Sequence, residues 1–457
     1  MLKIERVKNR KVYDITVEDN HNFYANDILV HNCAEIVEAT GQTKIQDKIL
    51  KDKELLEKNN LVEFYGRESV NETAVCNLAS IALPKFVNKN KTYNFKKLYD
   101  IAYKATINLN RVIDVNFYPS EGAKFSNLLH RPIGLGVQGL SDVFFKIGIA
   151  YDSEEARSLN KEIFETIYFA TLNASCDVAK EDGAYATYEG SPLSQGKFQF
   201  DLWGAKPTKR WDWEKLKKKI SKYGVRNSLT TCIMPTASTA NILGNEASCE
   251  AQTSNMYSRG VLSGTYIMVN KHLVKDLIKL DLWGDDIRKK IISENGSIQN
   301  IPEIPTNIKE IYKTVYEVKQ KDVINLASDR GAFIDQTQSM NIFMDAKNYA
   351  KVTAMHFYGW GKRSFMKDER GNVILPKGDN IEIVYDKNGN PKFYRDTKSN
   401  LKTGMYYLRN KPSSDAVKFT VDNKEKAVTI DNTSVSQQNT SDIACSLDDD
   451  DCLACGA

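Results

Sequence analysis

Three side chains that can do chemistry stand side by side near the start of the sequence. His31, Asn32 and Cys33 offer an imidazole, a carboxamide and a thiol in consecutive positions. The Asn32 carboxamide can attack its own backbone carbonyl and cleave the chain after itself, while the His31 imidazole protonates the leaving amide nitrogen. A thiol in the following position, Cys33, can accept an acyl group from another junction. The triplet is therefore a candidate site for peptide-bond cleavage and acyl transfer.

Two more thiols stand close to the end of the sequence. Cys452 and Cys455 form the motif CLAC, in a chain with eight cysteines in 457 residues, which is too sparse for a disulfide framework. A single CxxC without a second pair is a weak signal for zinc, so we interpret the motif as a redox-active pair and predict no metal site. The cysteines expected to be structural are Cys176, Cys232 and Cys249.

The segment MPTASTANILG places hydroxyl groups and backbone N–H groups at a predicted helix start. This combination suits a diphosphate, because the hydroxyls and the positive end of the helix dipole both attract it. Without a further indication, we would interpret the segment as an ordinary helix N-cap. The residues concerned are Pro235, Thr236, Ala237, Ser238 and Thr239.

A glycine motif, GLGVQG at residues 134–139, satisfies the pattern G-x-G-x-x-G. It follows HRPI rather than a clear strand, and no acid lies about 20 residues later, so dinucleotide binding is not predicted. These glycines are expected to allow close packing of the backbone.

The composition is that of an ordinary globular protein with room for roughly two to four domains. The formal net charge of +4 is too small to require a nucleic-acid partner. No apolar run approaches the roughly 20 residues of a membrane span, and MLKIERVKNRKVYD lacks the apolar region of a signal peptide. We therefore expect a cytoplasmic protein that binds neither membrane nor nucleic acid.

Short strands are predicted to position the triplet His31, Asn32 and Cys33. Within residues 1–32, KVYDITV alternates apolar and polar residues and predicts a strand, and NFYANDILVHN predicts a second short strand. A unit of this size cannot bury a core of its own, so it must pack onto another segment.

Residues 33–41 and 72–410 have the pattern of one large α/β body. A helix is predicted from a cap at Asp152 or Ser153 to a stop at Gly183. Its apolar stripe consists of Leu159, Ile163, Ile167, Ala174 and Val178. The segments SLTTCIM and SMNIFM predict buried strands, and helices alternating with buried strands indicate a parallel sheet or barrel.

Three further segments differ from this body. Residues 42–71 predict a charged helical stretch, and residues 363–400 predict a hairpin around Asn388-Gly389. Residues 411–457 are polar, with a run of aspartates before CLAC, and are predicted to be a flexible tail that carries the redox pair.

The stretch YDITVEDNHNFYANDILVHNC resembles the C-terminal end of an intein, with both of its characteristic blocks, YD…HNF and the terminal HNC. The resemblance assigns Asp14 and His21 to positions where an acid and an imidazole assist the earlier acyl shifts. Because the sequence has no upstream junction, it implies the C-terminal fragment of a split intein, which completes an all-β Hint fold with a fragment on another chain. The alternative is a β-hairpin with an incidental asparagine.

From Cys33 onward the sequence resembles the C-terminal half of the large (alpha) subunit of class I ribonucleotide reductases. The matching blocks, in the family's order, are CAEIVEAT, ETAVCNLASIALPKFV, HRPIGLGVQGLSDVF, NKEIFETIYFATLNASCDVAKE, YEGSPLSQG, MPTASTANILGNE, GAFIDQTQSMNIF, MHFYGW and LKTGMYYLR. The resemblance implies that residues 33–410 form the C-terminal part of a ten-stranded α/β barrel. Residues 42–71 and 363–400 have no counterpart in the family's pattern, and the simplest interpretation of both is a surface elaboration.

The resemblance implies a radical mechanism that removes the ribose 2′-hydroxyl. Cys33 takes the thiyl position, and Glu35 matches the carboxylate that accepts the 3′-hydroxyl proton. Cys76 matches one member of the reducing dithiol, whose partner cysteine belongs to the family's N-terminal half. Residues 235–239 match the diphosphate-binding segment. Without the resemblance, Glu35 would be a solvated loop acid and Cys76 a small buried hydrophobe.

Two pairs of residues are assigned to electron transfer. Tyr406 and Tyr407 match the adjacent tyrosines that relay the radical to the thiyl cysteine, although two neighbouring aromatics are more often core packing. Cys452 and Cys455 match the pair that carries electrons from an external reductant. A flexible tail of about 40 residues has a root-mean-square reach of roughly 35 Å, which suits this task.

The resemblance also implies the partners of the chain. They are an N-terminal intein and reductase fragment on another chain, a radical-generating beta subunit that contains metal, a thioredoxin or glutaredoxin type reductant, a ribonucleoside diphosphate substrate and a second copy of the spliced subunit. No cofactor is expected to bind this chain itself.

Two alternatives remain open. The adenosylcobalamin-dependent class of the same superfamily makes its radical without a second subunit, and the tyrosine pair argues against it. The other alternative is a splicing module that carries an inactive extein. The presence of the cysteines and of Glu35 argues against it, because an inactive extein would not need to keep catalytic residues.

Overall fold

The computed structural model describes residues 48–261, 264–344, 348–367, 369–397 and 400–410, with shorter pieces at 22–25, 28–31, 36, 38 and 41. The helices of this part are α1 (Lys53–Lys58), α2 (Phe95–Val115), α3 (Glu121–His130), α4 (Leu140–Ile147), α5 (Glu154–Asp182), α6 (Gln199–Leu202), α7 (Trp213–Tyr223), α8 (Ala237–Leu243), α9 (Lys271–Lys279), α10 (Asp285–Ser293), α11 (Thr306–Ile311), α12 (Gln320–Gly331) and α13 (Tyr349–Gly359). The strands are β1 (Asn22–Ala25), β2 (Ile28–His31), β3 (Asn77–Ala82), β4 (Ile133–Gln138), β5 (Met256–Val261), β6 (Gly264–Val269), β7 (Asn341–Met344), β8 (Lys362–Arg363), β9 (Met366–Lys367), β10 (Val373–Ile374), β11 (Ile381–Tyr385), β12 (Pro391–Asp396) and β13 (Tyr407–Asn410).

Parallel strands form the centre of the fold. β3 pairs in parallel with β4 along its whole length. On the other side of β4, Leu135 bridges to Thr231, and Ile233 bridges in turn to Gln338, both in parallel. The chain then runs from Gln338 into β7, which pairs in parallel with β13. The order β3, β4, residues 231–233, β7 and β13 confirms the predicted α/β class with parallel strands for the described residues.

Both segments predicted as buried strands belong to this sheet. SMNIFM contains β7, and SLTTCIM contributes isolated bridges at Thr231 and Ile233. Its ladder is interrupted because the Asp335 carboxylate accepts hydrogen bonds from the backbone N–H and the hydroxyl of both Thr230 and Thr231. A side chain therefore takes the place that a neighbouring strand would occupy.

The long helix α5 follows its sequence prediction closely. Ser153 caps the helix by accepting a hydrogen bond from the Ala156 N–H at 3.1 Å, and Gly183 ends it with a φ of +84° that favours glycine. Ile163, Ile167 and Ala174 of the predicted stripe are buried, while Leu159 and Val178 are half-buried. The helix packs along α2 and covers the sheet in the main hydrophobic core.

The described part of segment 42–71 is built into the fold. Its regular structure is the short helix α1 and a 3-10 turn at Val62–Phe64. Leu50, Leu56 and Phe64 are buried in a second hydrophobic cluster with side chains of α2 and α3. The prediction of a helical stretch is confirmed at residues 48–49 and in α1, while residues 42–47 lie outside the described residues. The interpretation as a surface elaboration is wrong for residues 48–70, because irregularly spaced apolar residues anchor this charged segment.

The hairpin predicted in segment 363–400 is confirmed. β11 and β12 pair antiparallel, and β8 adds a third strand at the edge. Asp386 Oδ1 accepts hydrogen bonds from the N–H groups of Asn388 and Asn390 at 2.8 and 2.9 Å, and Gly389 has a φ of +83°. The turn therefore contains Asn388 and Gly389, the two residues from which the hairpin was predicted.

The glycine motif at 134–139 is itself the buried strand β4, which the sequence reasoning did not recognise. The expectation of close backbone packing is confirmed, because a Cβ at Gly136 would lie 2.5 Å from the Cys232 carbonyl oxygen. Glycines weaken the apolar alternation that usually identifies a strand, which explains why the element was missed.

Residues 22–31 form a hairpin of β1 and β2 in antiparallel pairing, from Asn22↔His31 to Ala25↔Ile28. A single second strand had been predicted here, and the correction follows from Asn26-Asp27, residue types that favour tight turns. The strand predicted at KVYDITV and the tail 411–457 lie outside the described residues. Among the helices of the described ranges, none is both long and apolar enough to cross a membrane.

Candidate active site

The predicted site residues divide into two groups. Those outside the described residues are Asp14, His21, Asn32, Cys33, Glu35, Cys452 and Cys455, and for His31 the structure gives only its place in β2. Cys76, residues 235–239, Tyr406 and Tyr407 are described. Their surroundings define the candidate site.

Cys76 lies immediately before β3, where its side chain meets residues from distant parts of the chain. The Gln336 Nε2 donates a hydrogen bond to the Cys76 Sγ at 3.5 Å and a second one to the Ile133 carbonyl at 3.1 Å. The Glu38 carboxyl is also hydrogen-bonded to this thiol. Burial raises the pKa of the Cys76 thiol well above its usual range, and the nearby charge of Glu38 raises it further.

Glu38 is a site residue that the sequence reasoning missed. Burial raises the pKa of its carboxyl to about 8, against a lowering contribution from the hydrogen bond with Cys76. The only sequence signal was its position in CAEIVEAT, where it is the second acid after Cys33. A raised carboxyl pKa beside a thiol is typical of a site where a proton is exchanged.

A second thiol, that of Cys232, lies beside Cys76. A Cβ at Gly134 would overlap the Cys232 sulfur and would lie 3.3 Å from the Cys76 sulfur, so both sulfur atoms sit close to the same point. Only glycine at position 134 leaves room for the two thiols side by side. Cys232 had been interpreted as structural, and its position next to Cys76 could not be read from the sequence.

Residues 235–239 follow the 231–233 segment and open α8, which confirms the predicted helix start. Thr236 has a φ of +51°, and its Oγ1 accepts a hydrogen bond from the Ser248 N–H at 2.8 Å. Ala237, Ser238 and Thr239 are exposed. Exposed hydroxyls and first-turn N–H groups beyond the carboxyl end of a parallel strand can bind an anion.

The Tyr406 and Tyr407 rings are in contact, with centroids 4.1 Å apart and planes inclined by 52°. Tyr407 begins β13, and the Arg409 guanidinium lies 5.2 Å from the centre of its ring. Both tyrosines are half-buried. Two aromatic rings at this separation can exchange an electron directly.

The segment 334–340 connects these pieces of the site. Besides the Gln336 contact with Cys76, its backbone forms two hydrogen bonds with Ile233, of 3.0 and 2.8 Å, just before the 235–239 segment. The Met340 carbonyl accepts a hydrogen bond from the Tyr406 N–H at 2.7 Å. Hydrogen bonds therefore connect the segment 334–340 to the Cys76 thiol, to the chain just before residues 235–239 and to the tyrosine pair.

The side chain of Lys402 also binds the backbone of the segment 334–340. Its Nζ donates hydrogen bonds to three consecutive carbonyls, those of Ile334, Asp335 and Gln336. Burial lowers the pKa of the ammonium group to about 8, and the charge of Asp335 opposes that shift. Lys402 belongs to LKTGMYYLR, but no sequence pattern indicates that its ammonium group binds the backbone around Gln336, the residue in contact with Cys76.

Comparison with known proteins gives a consistent result for most of the chain. The family model described as ribonucleotide reductase, barrel domain, matches residues 11–364. The ribonucleoside-diphosphate reductase large subunit of Caenorhabditis elegans is 51% identical over 364 residues, which cover 80% of this chain and 42% of that protein. The large subunit of Arabidopsis thaliana is 46% identical over 427 residues, which cover 87% of this chain and 48% of that protein.

Among solved structures, the class Id ribonucleotide reductase alpha subunit of Actinobacillus ureae is similar, with a TM-score of 0.48 and 27% identity over 63% of this chain and 47% of that chain. The chain spans less than half the length of the curated relatives described above. The family match begins at residue 11, inside the segment predicted to be an intein fragment. The boundary at residues 32 and 33 therefore stays a prediction.

Proposed function

This chain belongs to the ribonucleotide reductase family, in the barrel domain of the large subunit, and from that premise we propose that it supplies the C-terminal half of a class I ribonucleoside-diphosphate reductase. The carrying observation is Cys76, whose thiol lies immediately before the parallel strand β3 and contacts Gln336 and Glu38. The match covers less than half the length of these relatives, and we propose that a second chain supplies the remaining part of the enzyme.

The proposed reaction replaces the ribose 2′-hydroxyl by hydrogen. A thiyl radical on Cys33 abstracts the hydrogen atom at C3′, and Glu35 takes the 3′-hydroxyl proton as general base. The 2′-hydroxyl leaves as water, and Cys76 with a cysteine of the second chain supplies two electrons and becomes a disulfide. The hydrogen atom then returns from Cys33 to C3′.

The substrate diphosphate is proposed to bind at residues 235–239. The exposed hydroxyls of Ser238 and Thr239 and the first N–H groups of α8 support this assignment. Thr236 contributes through the backbone, because its hydroxyl already accepts the Ser248 N–H. Diphosphate affinity that disappears when both exposed hydroxyls are removed would support the assignment.

The radical is proposed to arrive through Tyr407 and Tyr406 from a beta subunit that holds the metal. The ring contact of 4.1 Å supports a direct relay between the two phenols. The adenosylcobalamin-dependent alternative needs no such relay. Activity that depends on added cobalamin, and not on a beta subunit, would decide for that alternative.

The disulfide left by each turnover must be reduced from outside the barrel. We assign this task to Cys452 and Cys455, which carry electrons from a thioredoxin or glutaredoxin type protein by thiol–disulfide exchange. The joined subunit is proposed to act as a homodimer, as the family resemblance implies.

Residues 1–32 are proposed to be the C-terminal fragment of a split intein that joins the two halves. His31, Asn32 and Cys33 carry the cleavage and transfer steps, with Asp14 and His21 assisting the earlier acyl shifts. Cys33 would thus serve first as the splicing nucleophile and then as the radical carrier. Residues 33–410 become the barrel part of the product, and residues 411–457 its redox tail.

The first test is the intact mass of this chain after mixing with a candidate N-terminal chain. A ligated product, with residues 1–32 released and ending in succinimide or asparagine, is expected. Two chains that keep their starting masses would contradict splicing for this pair. Nucleotide reduction by the ligated product, supplied with a beta subunit and a dithiol, then tests the reductase. A ligated product without reductase activity would favour the splicing module with an inactive extein.

A further inference from the structure

Helix α7 carries four exposed lysines that take part in no ion pair among the described residues. The helix buries Leu216 and Ile220 in the main hydrophobic core, and its opposite side faces solvent. The four lysines of that side, which we call the lysine face, are Lys215, Lys217, Lys218 and Lys222. Lys219, the fifth lysine of the helix, is paired with Asp177 at 2.7 Å. Like charges three or four residues apart on a helix repel one another, so a bound anion would relieve this repulsion.

A cleft of about 530 Å³ lies between α7 and the loop 193–198. Its polar lining residues are Ser194, Gln195, Glu214, Lys217, Lys218 and Ser221. The stem of Lys217 forms part of the wall, because a Cβ at Gly196 would lie 2.9 Å from its Cε. Lys197, in the same loop, is also exposed. Ammonium and hydroxyl groups are donors for carboxylates, and Glu214 is the single acid of the helix, so the cleft suits a short acidic peptide.

The sequence of this chain contains such a peptide. Four consecutive aspartates, Asp448 to Asp451, stand directly before Cys452. Residues 427–457 contain six acids and neither lysine nor arginine, so the negative charge of the predicted tail is concentrated at its end. This run lies outside the described residues. Its four carboxylates match the lysine face in number and are opposite to it in charge.

The tail is long enough to bring the run to this face. The described residues end at Asn410, and 37 residues separate it from Asp448. A fully extended segment of this length spans about 120 Å. A compact globule of about 400 residues has a radius of gyration of about 21 Å, so the path halfway around its surface is about 85 Å. The run can therefore reach the lysine face of its own chain wherever that face lies on the surface.

We propose that the aspartate run 448–451 docks on the lysine face and the adjoining cleft of its own chain, and so holds the CLAC pair outside the barrel between turnovers. The holding of the pair rests on the proposed function, because it assumes that Cys452 and Cys455 carry electrons, whereas the docking itself does not.

The strength of the contact favours the tail of the same chain as the occupant. Exposed ion pairs contribute little each, so a free peptide with this run should bind only at about millimolar concentration. A tether of this length keeps the run at an effective concentration of about the same order. Docking is therefore partial, reversible and screened by salt, as a tail that must also enter the active site requires.

The first experiment locates the run on the full chain. A carbodiimide joins carboxylates directly to neighbouring amines, and peptide mass spectrometry identifies the pairs. Crosslinks from residues 448–451 to Lys217, Lys218 or Lys197 are expected at low salt, with a large loss in about 1 M sodium chloride, where the Debye length is about 3 Å. The absence of crosslinks, or crosslinks mainly to other lysines such as those of residues 1–11, would overturn the docking.

The second experiment measures docking by protection from a protease that cleaves before aspartate. At low salt, cleavage within residues 448–451 should be about threefold faster in the double variant Lys217→Glu, Lys218→Glu than in the wild type, because the docked fraction is protected. The matched control is Lys275→Glu, Lys289→Glu, with the same change in charge at exposed lysines of α9 and α10. It should be cleaved like the wild type, and equal rates for all three proteins would contradict the proposal.

Two further outcomes would assign the lysine face to another occupant. Protection that disappears on dilution of the protein would indicate the tail of a second copy, whereas docking within one chain predicts no dependence on concentration. Binding of a single-stranded oligonucleotide that is lost in Lys217→Glu, Lys218→Glu but unaffected by deletion of residues 448–457 would indicate nucleic acid. Either result would overturn the proposal.

The joined enzyme tests the holding of the redox pair. Lys217→Glu, Lys218→Glu should raise the KM for a thioredoxin type protein by about threefold, because the pair is presented at a fixed place less often, and leave turnover with a small dithiol unchanged. An unchanged KM would contradict the holding. A joined wild type without activity would instead contradict the proposed function, while the crosslinking and cleavage results from this chain alone would still decide the docking.

Discussion

At the scale of single residues, the thiol of Cys76 depends on neighbours that are far away in the sequence. Gln336 is 260 residues from the cysteine that it contacts, and Glu38 lies on the far side of segment 42–71. The sequence identified Cys76 itself through the block around it. It could not identify these partners, because neither a spacing nor a local pattern links residues that only the folded chain brings together.

The buried ammonium of Lys402 leads to a prediction about pH. Its pKa is lowered to about 8 in the folded chain from an ordinary 10.5, so the unfolded chain binds the proton more tightly between these values. The free energy of unfolding of the wild type, relative to Lys402→Met, should therefore rise from pH 8 to 10.5, by at most about 1.4 kcal/mol per pH unit. Below pH 8 the difference between the two proteins should be constant.

Urea denaturation of both proteins at half-unit steps of pH measures this difference. Because the other titrating groups are common to the two chains, their contributions cancel in the comparison. Curves that stay parallel from pH 7 to 10.5 would show that the folded chain does not perturb this lysine.

At the scale of elements, the sequence predicted best where the signal is local. The limits of α5 were predicted from Ser153 and Gly183, since a cap and a left-handed stop act on the adjacent turn alone. The hairpin at Asn388-Gly389 was predicted for the same reason. β4 was not predicted because its glycines are required by close contacts with the neighbouring strands, which the sequence does not show. The packing of residues 48–70 was not predicted because their buried leucines are scattered among many charged residues.

The anchoring of residues 48–70 can be tested through Leu56. This side chain is fully buried in the second hydrophobic cluster, so Leu56→Ala should lower the free energy of unfolding by about 2–5 kcal/mol. Leu55→Ala, at the neighbouring and half-buried position, is the matched control and should cost clearly less. Equal and small losses in chemical denaturation would mean that the segment is only loosely attached.

The hairpin of segment 363–400 should be dispensable for turnover. The Leu401 N–H donates to the Gly359 carbonyl at 2.8 Å, so the two ends of the segment already meet without it. Replacing residues 363–400 by a short glycine–serine linker should leave nucleotide reduction by the joined enzyme unchanged. Its rate with saturating beta subunit is the measurement, and a large loss would give this segment a part in the radical relay through Tyr406 and Tyr407.

At the scale of the whole molecule, the chain supplies one set of parallel strands and spans less than half the length of its relatives. The sequence predicted this division through the order of its family blocks. In the proposed joined enzyme, turnover also depends on the predicted redox tail, residues 411–457. Composition alone predicts a mobile tail. The CLAC motif adds the prediction that this tail carries electrons to the barrel.

The proposed role of the tail in reduction can be tested by comparing turnover with a thioredoxin type reductant and turnover with a small dithiol. In the joined enzyme, Cys452→Ser should stop turnover with a thioredoxin type reductant after the first cycle, while a small dithiol that reaches the barrel directly should sustain it. Cys445→Ser removes the third tail cysteine and is the matched control. Equal deoxynucleotide yields with thioredoxin for Cys452→Ser and the wild type would rule out the shuttle.

The closeness of the Cys76 and Cys232 sulfurs has a consequence for handling this chain in air. Their segments flank β4, so their backbones lie two strand spacings apart, about 10 Å, whereas a disulfide requires Cα atoms within about 7 Å. Oxygen therefore cannot trap the two thiols in an internal bond, although they are neighbours. Oxidation of Cys76 to a disulfide in a stored sample would therefore have to involve a cysteine other than Cys232, in this chain or in another molecule.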